Sequence, residues 1–409
     1  MNILLINHYA GSPEYGMEFR PYYMCKEWIR RGHHVLIIGG SYSHLRKQQP
    51  RQESETIDGV NYRWVTLNQY KGNGIGRIAS MGLFITKLGA SYKKYLGSFV
   101  PEIVIASSTY PLDIYPAKRI ARHYRAKLIY EVHDLWPLSP IELGGYSPNH
   151  PFIKVMQKGE NDCYRYVDAV VSMLPKAEAH MKEHGLSDGK FHYVPNGIVL
   201  EDWENTPPQL PEQHEELLSK LSVEEKFIVG FAGAHGIANS LYAAIDAVAP
   251  LADQGVVFVL TGTGPEKEKL IAYAKECQVS NVYFLPAVNK QVIPALLSKM
   301  DVLYIGLQRE SLFRFGISPN KLFDYMMAGK PVVQAIDAGN NIVAEANCGL
   351  CAEPDNREEI GRAIMTLKGM TPSEREQLGQ NGKAYVLANH TYSVLAERFL
   401  NVMDDLMHG

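Results

Sequence analysis

Twelve short apolar segments, separated by longer segments of helical pattern, most constrain the fold of this 409-residue chain. Six precede residue 200 ("NILLIN", "HVLIIGG", "IVIASS", "KLIYEVHD", "AVVSM" and "FHYVPN") and six follow it ("FIVGFAG", "VVFVLTG", "VYFLP", "VLYIGL", "VVQAI" and "GLCAEP"). Their apolar residues do not alternate with polar ones, which is typical of strands buried on both faces of a parallel sheet. The pattern predicts an α/β protein of two doubly wound, Rossmann-like halves in tandem.

The break between the halves is predicted at "EDWENTPPQLPEQHEE", where prolines and charges interrupt the pattern, with the linker near residues 201–212. We therefore expect a Rossmann-like domain over residues 1–204 and a second over residues 205–384. The helical segment 385–409 is expected to pack back across the junction. Because ligands of open α/β sheets bind beyond the carboxyl ends of the strands, we expect the site in a cleft where the halves face each other.

The composition limits which binding partners and which cellular compartment can be expected for the protein. A net charge of −3 with 46% hydrophobic residues describes a soluble globular protein without a tail suited to nucleic acid. Residues 1–204 carry 24 basic against 20 acidic side chains (+4) and the rest carries 17 against 24 (−7), so the first half is the better partner for an anionic lipid head group. With no signal peptide, no spanning segment and an odd number of cysteines, the chain is predicted to be cytoplasmic, either soluble or peripheral on the inner membrane.

The segment "GIGRIASMGLFITKLGASYKKYLGSF" leaves two interpretations open. It carries an apolar helical stripe with basic residues beside it. The stripe either packs on its own sheet or contacts anionic lipid. Its members are Ile78, Met81, Ile85, Leu88, Tyr92 and Tyr95.

The stretch "FGISPNKLFDYMMAGKPVV" contains a turn, a helix start, a glycine break and a buried strand. Ser318 is predicted as the N-cap and Pro319 as the first helical residue. The amides of residues 320–322 would then point out of a positive helix end, which suits a diphosphate. Lys321 adds a full charge, and Asp324, one turn on, is placed to accept hydrogen bonds from ribose hydroxyls. An ordinary capped helix with solvated side chains is the alternative.

Two further stretches carry polar residues near strand ends. "YEVHDLWPLSP" places His133 and Asp134 at the carboxyl end of a strand, where side chains enter a cleft. "YGMEFRPYYMCKEWIRRGHHV" provides a loop after the first strand in which Gly16 lets backbone amides approach a diphosphate or an acceptor.

Several other chemistries lack the motifs they need. Cys348 and Cys351 form a C-x-x-C without a second pair for zinc, and the G-T-G of "FVLTGTGPEKEKL" lacks the remaining features of a dinucleotide fingerprint. A nucleophile elbow, an H-E-x-x-H motif and a D-x-D metal motif are all missing from the sequence. We therefore predict no metal, no NAD and no hydrolase site.

Together these stretches resemble the retaining family 4 glycosyltransferases of GT-B fold, and among them the bacterial subgroup that builds O-antigen, capsule and colanic acid. Asp324 occupies the place of the second of two signature acids, and "YMMAGKPVV" continues the match. Gly316 stands where the first acid is expected. Ala234 and Asn239 stand where the family usually has an Arg and a Lys that grip the diphosphate. The resemblance thus leaves this charge to Lys321, with Arg314 and the amides of residues 233–236 as further candidates.

The resemblance also implies roles for individual residues. His133 and Asp134 are expected to be catalytic, with His133 orienting the reactants beside the donor sugar. Gly16, Glu18 and Arg20 are expected to form an acceptor or diphosphate loop. The residues implied for the nucleotide-sugar are Gly233, His235, Asn239, Leu285, Val288, Ser318, Asn320, Lys321, Leu322 and Asp324.

The expected reaction is transfer of an N-acetylated hexose from a UDP-sugar onto a polyprenyl-diphosphate-linked saccharide, with retention and with no cofactor. In the family's usual account the acceptor hydroxyl attacks beside the departing diphosphate, which takes its proton. Two alternatives remain open: a UDP-sugar 2-epimerase of the same fold, and a non-catalytic subunit that binds a nucleotide-sugar.

Overall fold

The computed structural model describes residues 1–16, 19–72, 74–205 and 207–409. The described chain divides into two compact units. Unit 1 contains Met1–Asn196, Phe315–Ser318 and Tyr392–Gly409, and unit 2 contains Gly197–Arg314 and Pro319–Thr391. The first boundary follows Asn196, whereas the sequence placed it at residue 204. Two segments of the C-terminal half therefore belong to unit 1.

Unit 1 alternates strands and helices along the chain. Its elements up to Asn196 are β1 (Asn2–Ile6), α1 (Phe19–Arg30), β2 (His34–Gly40), β3 (Ser54–Ile57), β4 (Val60–Val65), α2 (Ile75–Leu96), β5 (Ile103–Ala106), α3 (Ile114–Tyr124), β6 (Lys127–Val132), α4 (Leu138–Glu142), α5 (Pro151–Tyr166), β7 (Ala169–Ser172), α6 (Glu178–Glu183) and β8 (Phe191–Tyr193).

The described strands of unit 1 form one sheet in the order β3-β4-β2-β1-β5-β6-β7-β8, parallel except for the β3–β4 pair. The six strands predicted in this half are confirmed, and β1, β5 and β7 are buried almost throughout, as strands covered on both faces must be. The β3–β4 hairpin was missed. Its turn, Asp58-Gly59, has φ of 47° and 85°, which is the Asp-Gly signal of a two-residue hairpin.

Unit 2 repeats the architecture with a smaller sheet. Its elements are α7 (Glu201–Glu204), α8 (Glu212–Val223), β9 (Phe227–Ala232), α9 (Leu241–Val248), β10 (Val256–Thr261), α10 (Lys267–Glu276), β11 (Val282–Leu285), α11 (Ile293–Ser298), β12 (Val302–Gly306), α12 (Asn320–Met327), β13 (Val332–Ala335), α13 (Ile342–Glu345), β14 (Gly349–Ala352), α14 (Arg357–Gly369) and α15 (Pro372–Asn389).

The six strands predicted for the second half are confirmed, and their described parts pair in parallel in the order β11-β10-β9-β12-β13-β14. The last helix, α16 (Tyr392–His408), belongs to unit 1, where it packs on α1. The Trp28 ring contacts Phe399 there at 5.2 Å between centroids.

The burial of helix α2 bears on the two interpretations of its apolar stripe, packing on its own sheet or contact with anionic lipid. Met81, Leu88 and Tyr92 of its stripe are buried, and the helix packs against α3 and β4 of its own unit. The packing interpretation is therefore confirmed for these residues. Ile75 and Ile78, at the start of the helix, are exposed. Within the described ranges, none of the helices is both long and apolar enough to cross a bilayer.

Candidate functional site

A buried ion pair lies at the carboxyl end of β6 in unit 1. The Nε atom of Arg20 donates to Oε1 of Glu131 at 2.9 Å, and the two side chains are 5% and 2% exposed. The other guanidinium nitrogens donate to the carbonyls of Val194 and Pro195. Arg20 lies inside α1 and not in the preceding loop, and its donors are engaged within the protein. Its geometry is that of a structural partner of Glu131, unlike the loop ligand expected from the sequence.

Glu131 connects this ion pair to His133. The Ser107 hydroxyl donates to Oε2 of Glu131 at 2.6 Å, and Nε2 of His133 lies 3.1 Å from Oγ of Ser107 and 3.4 Å from the same carboxylate oxygen. Because the one proton of Ser107 is donated to Glu131, its oxygen can only accept from His133. Nε2 of His133 therefore carries a proton, and a neutral ring keeps its lone pair on Nδ1.

The charge of Glu131 stabilises this arrangement. Burial works to raise the pKa of its carboxyl, but Arg20 and the hydrogen bonds from His133 and Ser107 hold that pKa well below its ordinary value. The carboxylate therefore stays ionised across the physiological range. A fixed negative charge beside the imidazole orients the ring.

The remaining residues expected in unit 1 are more dispersed. Asp134 follows His133 at the end of β6 with an exposed side chain. Gly16 has φ of +81° and donates its amide to the carbonyl of Ser12, so a glycine suits this turn. Glu18 lies outside the described residues.

The start of α12 differs from the prediction by one residue. The helix begins at Asn320 and Pro319 is its N-cap, so Ser318 does not cap it. The Ser318 hydroxyl instead accepts from the backbone amide of Asn196 at 2.8 Å within unit 1. The amide of Leu322 donates to the carbonyl of Pro319. The helix end therefore offers the amides of residues 320 and 321 to a ligand, one fewer than predicted.

Tyr325 fixes α12 against the end of β9 in unit 2. Its hydroxyl accepts from the amide of Ala232 at 2.8 Å and donates to the carbonyl of the same residue at 3.1 Å. This contact brings Lys321 to the loop after β9. The Lys321 ammonium bonds to Oδ1 of Asn239 and lies 4.7 Å from the centroid of the Phe231 ring.

Lys321 is a largely buried cation. Burial lowers the pKa of its ammonium to about 8, so the side chain is still mostly charged at pH 7. Across the described residues, no carboxylate lies within ion-pair distance of its Nζ atom. A largely buried ammonium that has no acidic neighbour in the described part of the chain, beside the amino end of a helix, provides the charge that a diphosphate requires.

The loop after β9 places three more predicted residues near Lys321. Gly233 is close enough that a Cβ atom there would lie 3.5 Å from the Lys321 ammonium. Asn239 also donates to the carbonyl of Ala234 at 2.9 Å. His235 is fully buried, and neither ring nitrogen has a hydrogen-bond partner among the described residues. Burial, together with Lys267 and Lys321, lowers the pKa of His235 to about 4, so the ring is a neutral donor and acceptor.

The two glycines of "TGTGP" allow close packing against the loop after β9 and are not part of a dinucleotide-binding motif. A Cβ atom on Gly262 would lie 1.9 Å from the carbonyl oxygen of Gly233, and one on Gly264 would lie 2.3 Å from that of His235. Glycine is therefore required where the two loops touch. Leu285 lies beside these two loops. Its carbonyl accepts from the amide of Gly262 at 3.2 Å and from Nζ of Lys267 at 2.8 Å. Val288 lies half-buried in the loop after β11.

Asp324 has a partner that the sequence did not predict. Burial raises the pKa of its carboxyl to about 6, while Lys290 and a hydrogen bond from Trp203 oppose the shift. Trp203 lies in α7, inside the stretch predicted as a linker. Asp324 is thus a largely buried carboxylate held by an indole N–H. Arg314, offered as an alternative source of charge, is exposed and donates to the carbonyl of Ser311.

Gly316, at the position of the missing acid, has a backbone reason to be glycine. Its φ is +100°, a conformation that L side chains rarely adopt. A glutamate at this position would be strained in the present backbone, so the departure from the family pattern is built into the local conformation.

Sequence reasoning missed three residues: Glu131, Ser107 and Trp203. Glu131 had a signal, because it is a charged residue inside an apolar strand and buried charges are almost always paired. Ser107 and Trp203 had none, since their partners lie 24 or more positions away.

Comparison with known proteins identifies the family of both halves of the chain. The model of the "Glycosyl transferase 4-like domain" matches residues 15–197, and that of "Glycosyl transferases group 1" matches residues 226–368. A relative named colanic acid biosynthesis glycosyl transferase WcaI, from Escherichia coli K12, is 26% identical over 145 residues. That match spans 34% of this chain and 35% of the relative's length.

Solved structures show the same fold over the whole chain. Sucrose-phosphate synthase of Thermosynechococcus elongatus aligns with 100% of this chain and 99% of its own at a TM-score of 0.73 and 16% identity. HepE of Anabaena, in complex with UDP-glucose, aligns with 99% of this chain and 100% of its own at a TM-score of 0.67 and 17% identity. WaaG, a glycosyltransferase involved in lipopolysaccharide biosynthesis, aligns over 100% of both chains at a TM-score of 0.64 and 17% identity. The chain belongs to the family 4 glycosyltransferases of GT-B fold.

Proposed function

We propose that this glycosyltransferase moves an N-acetylated hexose from a UDP-sugar onto a lipid-linked saccharide, with retention, during assembly of a bacterial surface polysaccharide at the cytoplasmic face of the inner membrane. The observation that carries the proposal is Lys321, a buried ammonium without an acidic partner among the described residues, at the start of α12. The UDP-glucose bound by HepE and the colanic acid assignment of WcaI support the choice of donor and pathway.

The donor diphosphate is proposed to bind at the amino end of α12. The amides of residues 320 and 321 and the ammonium of Lys321 would donate to its oxygens, and Asn239 would release Lys321 to do so. As the glycosidic bond breaks, negative charge accumulates on the diphosphate, so these donors act most strongly in the transition state. No metal is needed for this neutralisation.

The ribose and the base are assigned to neighbouring groups of unit 2. Asp324, held by Trp203, would accept from the ribose hydroxyls. The backbone from Leu285 to Val288 would contact the base, with Val288 against its face. The two ring nitrogens of His235, which have no partner among the described residues, would bind phosphate or sugar oxygens.

His133 is proposed to orient the acceptor hydroxyl and the donor sugar. The Ser107–Glu131–Arg20 network fixes its ring, and front-face attack needs no protein nucleophile. Asp134, exposed beside it, would accept a hydrogen bond from an acceptor hydroxyl.

Incubation with radiolabelled UDP-N-acetylhexosamines and a bacterial lipid extract tests the proposal. Label is expected to move to the lipid fraction with the anomeric configuration retained. An epimerised donor without transfer would indicate the 2-epimerase, and tight UDP-sugar binding without turnover would indicate the non-catalytic subunit. Either result would refute the proposed transfer.

The affinity for UDP should fall as pH rises through about 8. Below the pKa of Lys321 its ammonium is charged and ready for the diphosphate, whereas above it binding must first add a proton. Affinity is therefore highest near pH 7 and declines toward pH 9. Calorimetric titration with UDP at pH 7, 8 and 9 measures the decline, with Lys321→Met as the control that should show none. A flat profile in the wild-type protein would remove Lys321 from the diphosphate site.

His133→Ala should lower the transfer rate by about 100-fold, the effect typical of losing one positioned acid–base or orienting group. UDP affinity should stay within about twofold, because His133 belongs to unit 1 and the proposed UDP contacts lie in unit 2. Initial rates and calorimetry on the same preparation separate the two quantities. Equal loss of rate and of UDP affinity would contradict the assignment.

A further inference from the structure

Two histidines and a glutamate converge on helices α5 and α6 of unit 1. Glu160 lies in α5, His180 lies in α6 and His184 follows α6 directly. One ligand atom from each, an imidazole nitrogen or a carboxylate oxygen, lies within 4.8 Å of the others. Nε2 of His180 is 3.0 Å from Oε1 of Glu160, and the centroids of the two imidazole rings are 4.2 Å apart.

The sequence spacing explains why the histidines meet. In "EAHMKEHG" they are four positions apart, so one helical turn stacks them on the same face. Glu160 is 1% exposed and His180 is 11% exposed at the side chain. A buried carboxylate thus faces two adjacent imidazoles.

Surrounding hydrogen bonds already orient these groups. Nδ1 of His184 lies 2.8 Å from the carbonyl oxygen of His180, so it carries the proton and leaves the lone pair on Nε2. Tyr164 donates to Oε1 of Glu160 at 3.0 Å and Gln157 donates to Oε2 at 2.7 Å. Hydrogen bonds of this kind, from the second nitrogen of a histidine and to a carboxylate, are what fix the ligands of a metal.

We propose that Glu160, His180 and His184 bind one divalent transition-metal ion of the zinc class. Zinc bonds of about 2.0–2.1 Å in tetrahedral geometry separate neighbouring ligand atoms by roughly 3.3 Å. The present separation of 3.0 Å between His180 and Glu160 is close to this value. Small side-chain rotations complete the set, and the ion takes the place of the hydrogen bond between His180 and Glu160.

The donor set selects the class of ion. Two imidazole nitrogens and one carboxylate oxygen suit Zn²⁺, Co²⁺ or Ni²⁺, whereas Mg²⁺ and Ca²⁺ require mostly oxygen ligands. The fourth position is left for water. This proposal departs from the prediction of no metal, which rested on the unpaired C-x-x-C and on the missing H-E-x-x-H and D-x-D motifs. The site carries no part of the proposed transfer.

The ion would join α5 to α6 and its end, and the segment Phe315–Ser318 packs beside it. The Phe315 ring lies 5.4 Å from the His180 ring, and the amide of Lys176 donates to the carbonyl of Phe315 at 2.9 Å. A structural ion of this kind stabilises the folded state by mass action and should raise the melting temperature.

The test uses the full chain after treatment with a chelator and gel filtration. Titration with ZnCl₂ should show one site of micromolar or tighter affinity, with a higher melting temperature and one zinc retained per chain by elemental analysis. Addition of Co²⁺ should give the visible absorption of a four-coordinate ion. MgCl₂ at the same concentration should change nothing.

His184→Gln should reduce zinc affinity by roughly 100-fold, since a ligand is lost while the Glu160–His180 contact remains. The matched control is His34→Gln, a substitution of an exposed histidine at the start of β2, which should leave zinc binding intact. Circular dichroism and the metal-free melting temperature check that both variants fold. Failure of the wild-type chain to retain zinc, or equal retention by the His184→Gln variant, would overturn the proposal.

Discussion

Lys321→Met is expected to weaken UDP binding by roughly 100-fold, because a charge-assisted contact to the diphosphate is worth about 2–3 kcal/mol. Lys321 is the cation that the structure places at the amino end of α12, and Asn239 and Phe231 hold it there. Methionine keeps the length and apolar stem of the side chain and removes only the charge. Calorimetric titration with UDP measures the loss.

The same variant should fold at least as well as the wild-type protein. Burial disfavours the charged ammonium, as its lowered pKa shows, so removing that charge relieves an unfavourable term in the ligand-free state. Lys275→Met, at an exposed position near the end of α10, is the matched control and should bind UDP as the wild type does. Unchanged UDP affinity in the Lys321→Met variant would show that the diphosphate binds elsewhere.

Glu131→Gln is expected to lower the free energy of unfolding by about 3–5 kcal/mol, the usual consequence of leaving one member of a buried ion pair without its partner. Glutamine has nearly the same shape, so the effect reports the charge and not a cavity. The guanidinium of Arg20 would remain buried, 5% exposed, among the carbonyls of Val194 and Pro195. Urea denaturation at pH 7 measures the change.

Two further variants give this prediction its controls. Arg20→Met combined with Glu131→Met removes both charges and should recover a large part of the lost stability. Glu53→Gln removes one member of an exposed pair with Lys94, 3.3 Å apart, and should change stability by less than about 1 kcal/mol. If Glu131→Gln were as mild as Glu53→Gln, the ion pair would not hold the end of β6.

The carboxylate also gives the folded state a pH dependence of known sign. Its pKa is depressed in the folded protein, so its contribution to stability is present above the ordinary glutamate pKa of about 4.3 and is lost as pH falls toward the depressed value. The neutral amide side chain of the Glu131→Gln variant would not show this loss. The difference in stability between the two proteins should therefore shrink in acid.

The strands were predictable because burial on both faces leaves an uninterrupted apolar run in the sequence, as at Val256–Thr261. The β3–β4 hairpin, at the sheet edge, lacks such a run, because β3 is polar except for Ile57 and β4 mostly alternates apolar and polar residues. The boundaries of the two units were harder to predict than the strands. Phe315–Ser318 joins unit 1 through contacts such as that of Ser318 with Asn196, 122 positions away, and local patterns carry no information about such pairs.

The proposed donor site could be indicated from the sequence only to the extent that its residues are local. Lys321 and Asp324 stand around one helix start, so a single stretch indicated both. Arg20 was misjudged because its partner, Glu131, is 111 positions away, and only the fold shows that its donors are already used. Gly316 was noted as a departure from the family, and its reason, a φ of +100°, is a backbone property that the letter alone does not give.

The most direct test of the donor site is a crystal structure of the protein with UDP. We predict that an oxygen of the diphosphate lies about 3 Å from Nζ of Lys321 and from the amides of residues 320 and 321, with Lys321 released from Asn239. The ribose should contact Asp324. A structure in which UDP binds away from α12, with the Lys321–Asn239 bond intact, would contradict the account.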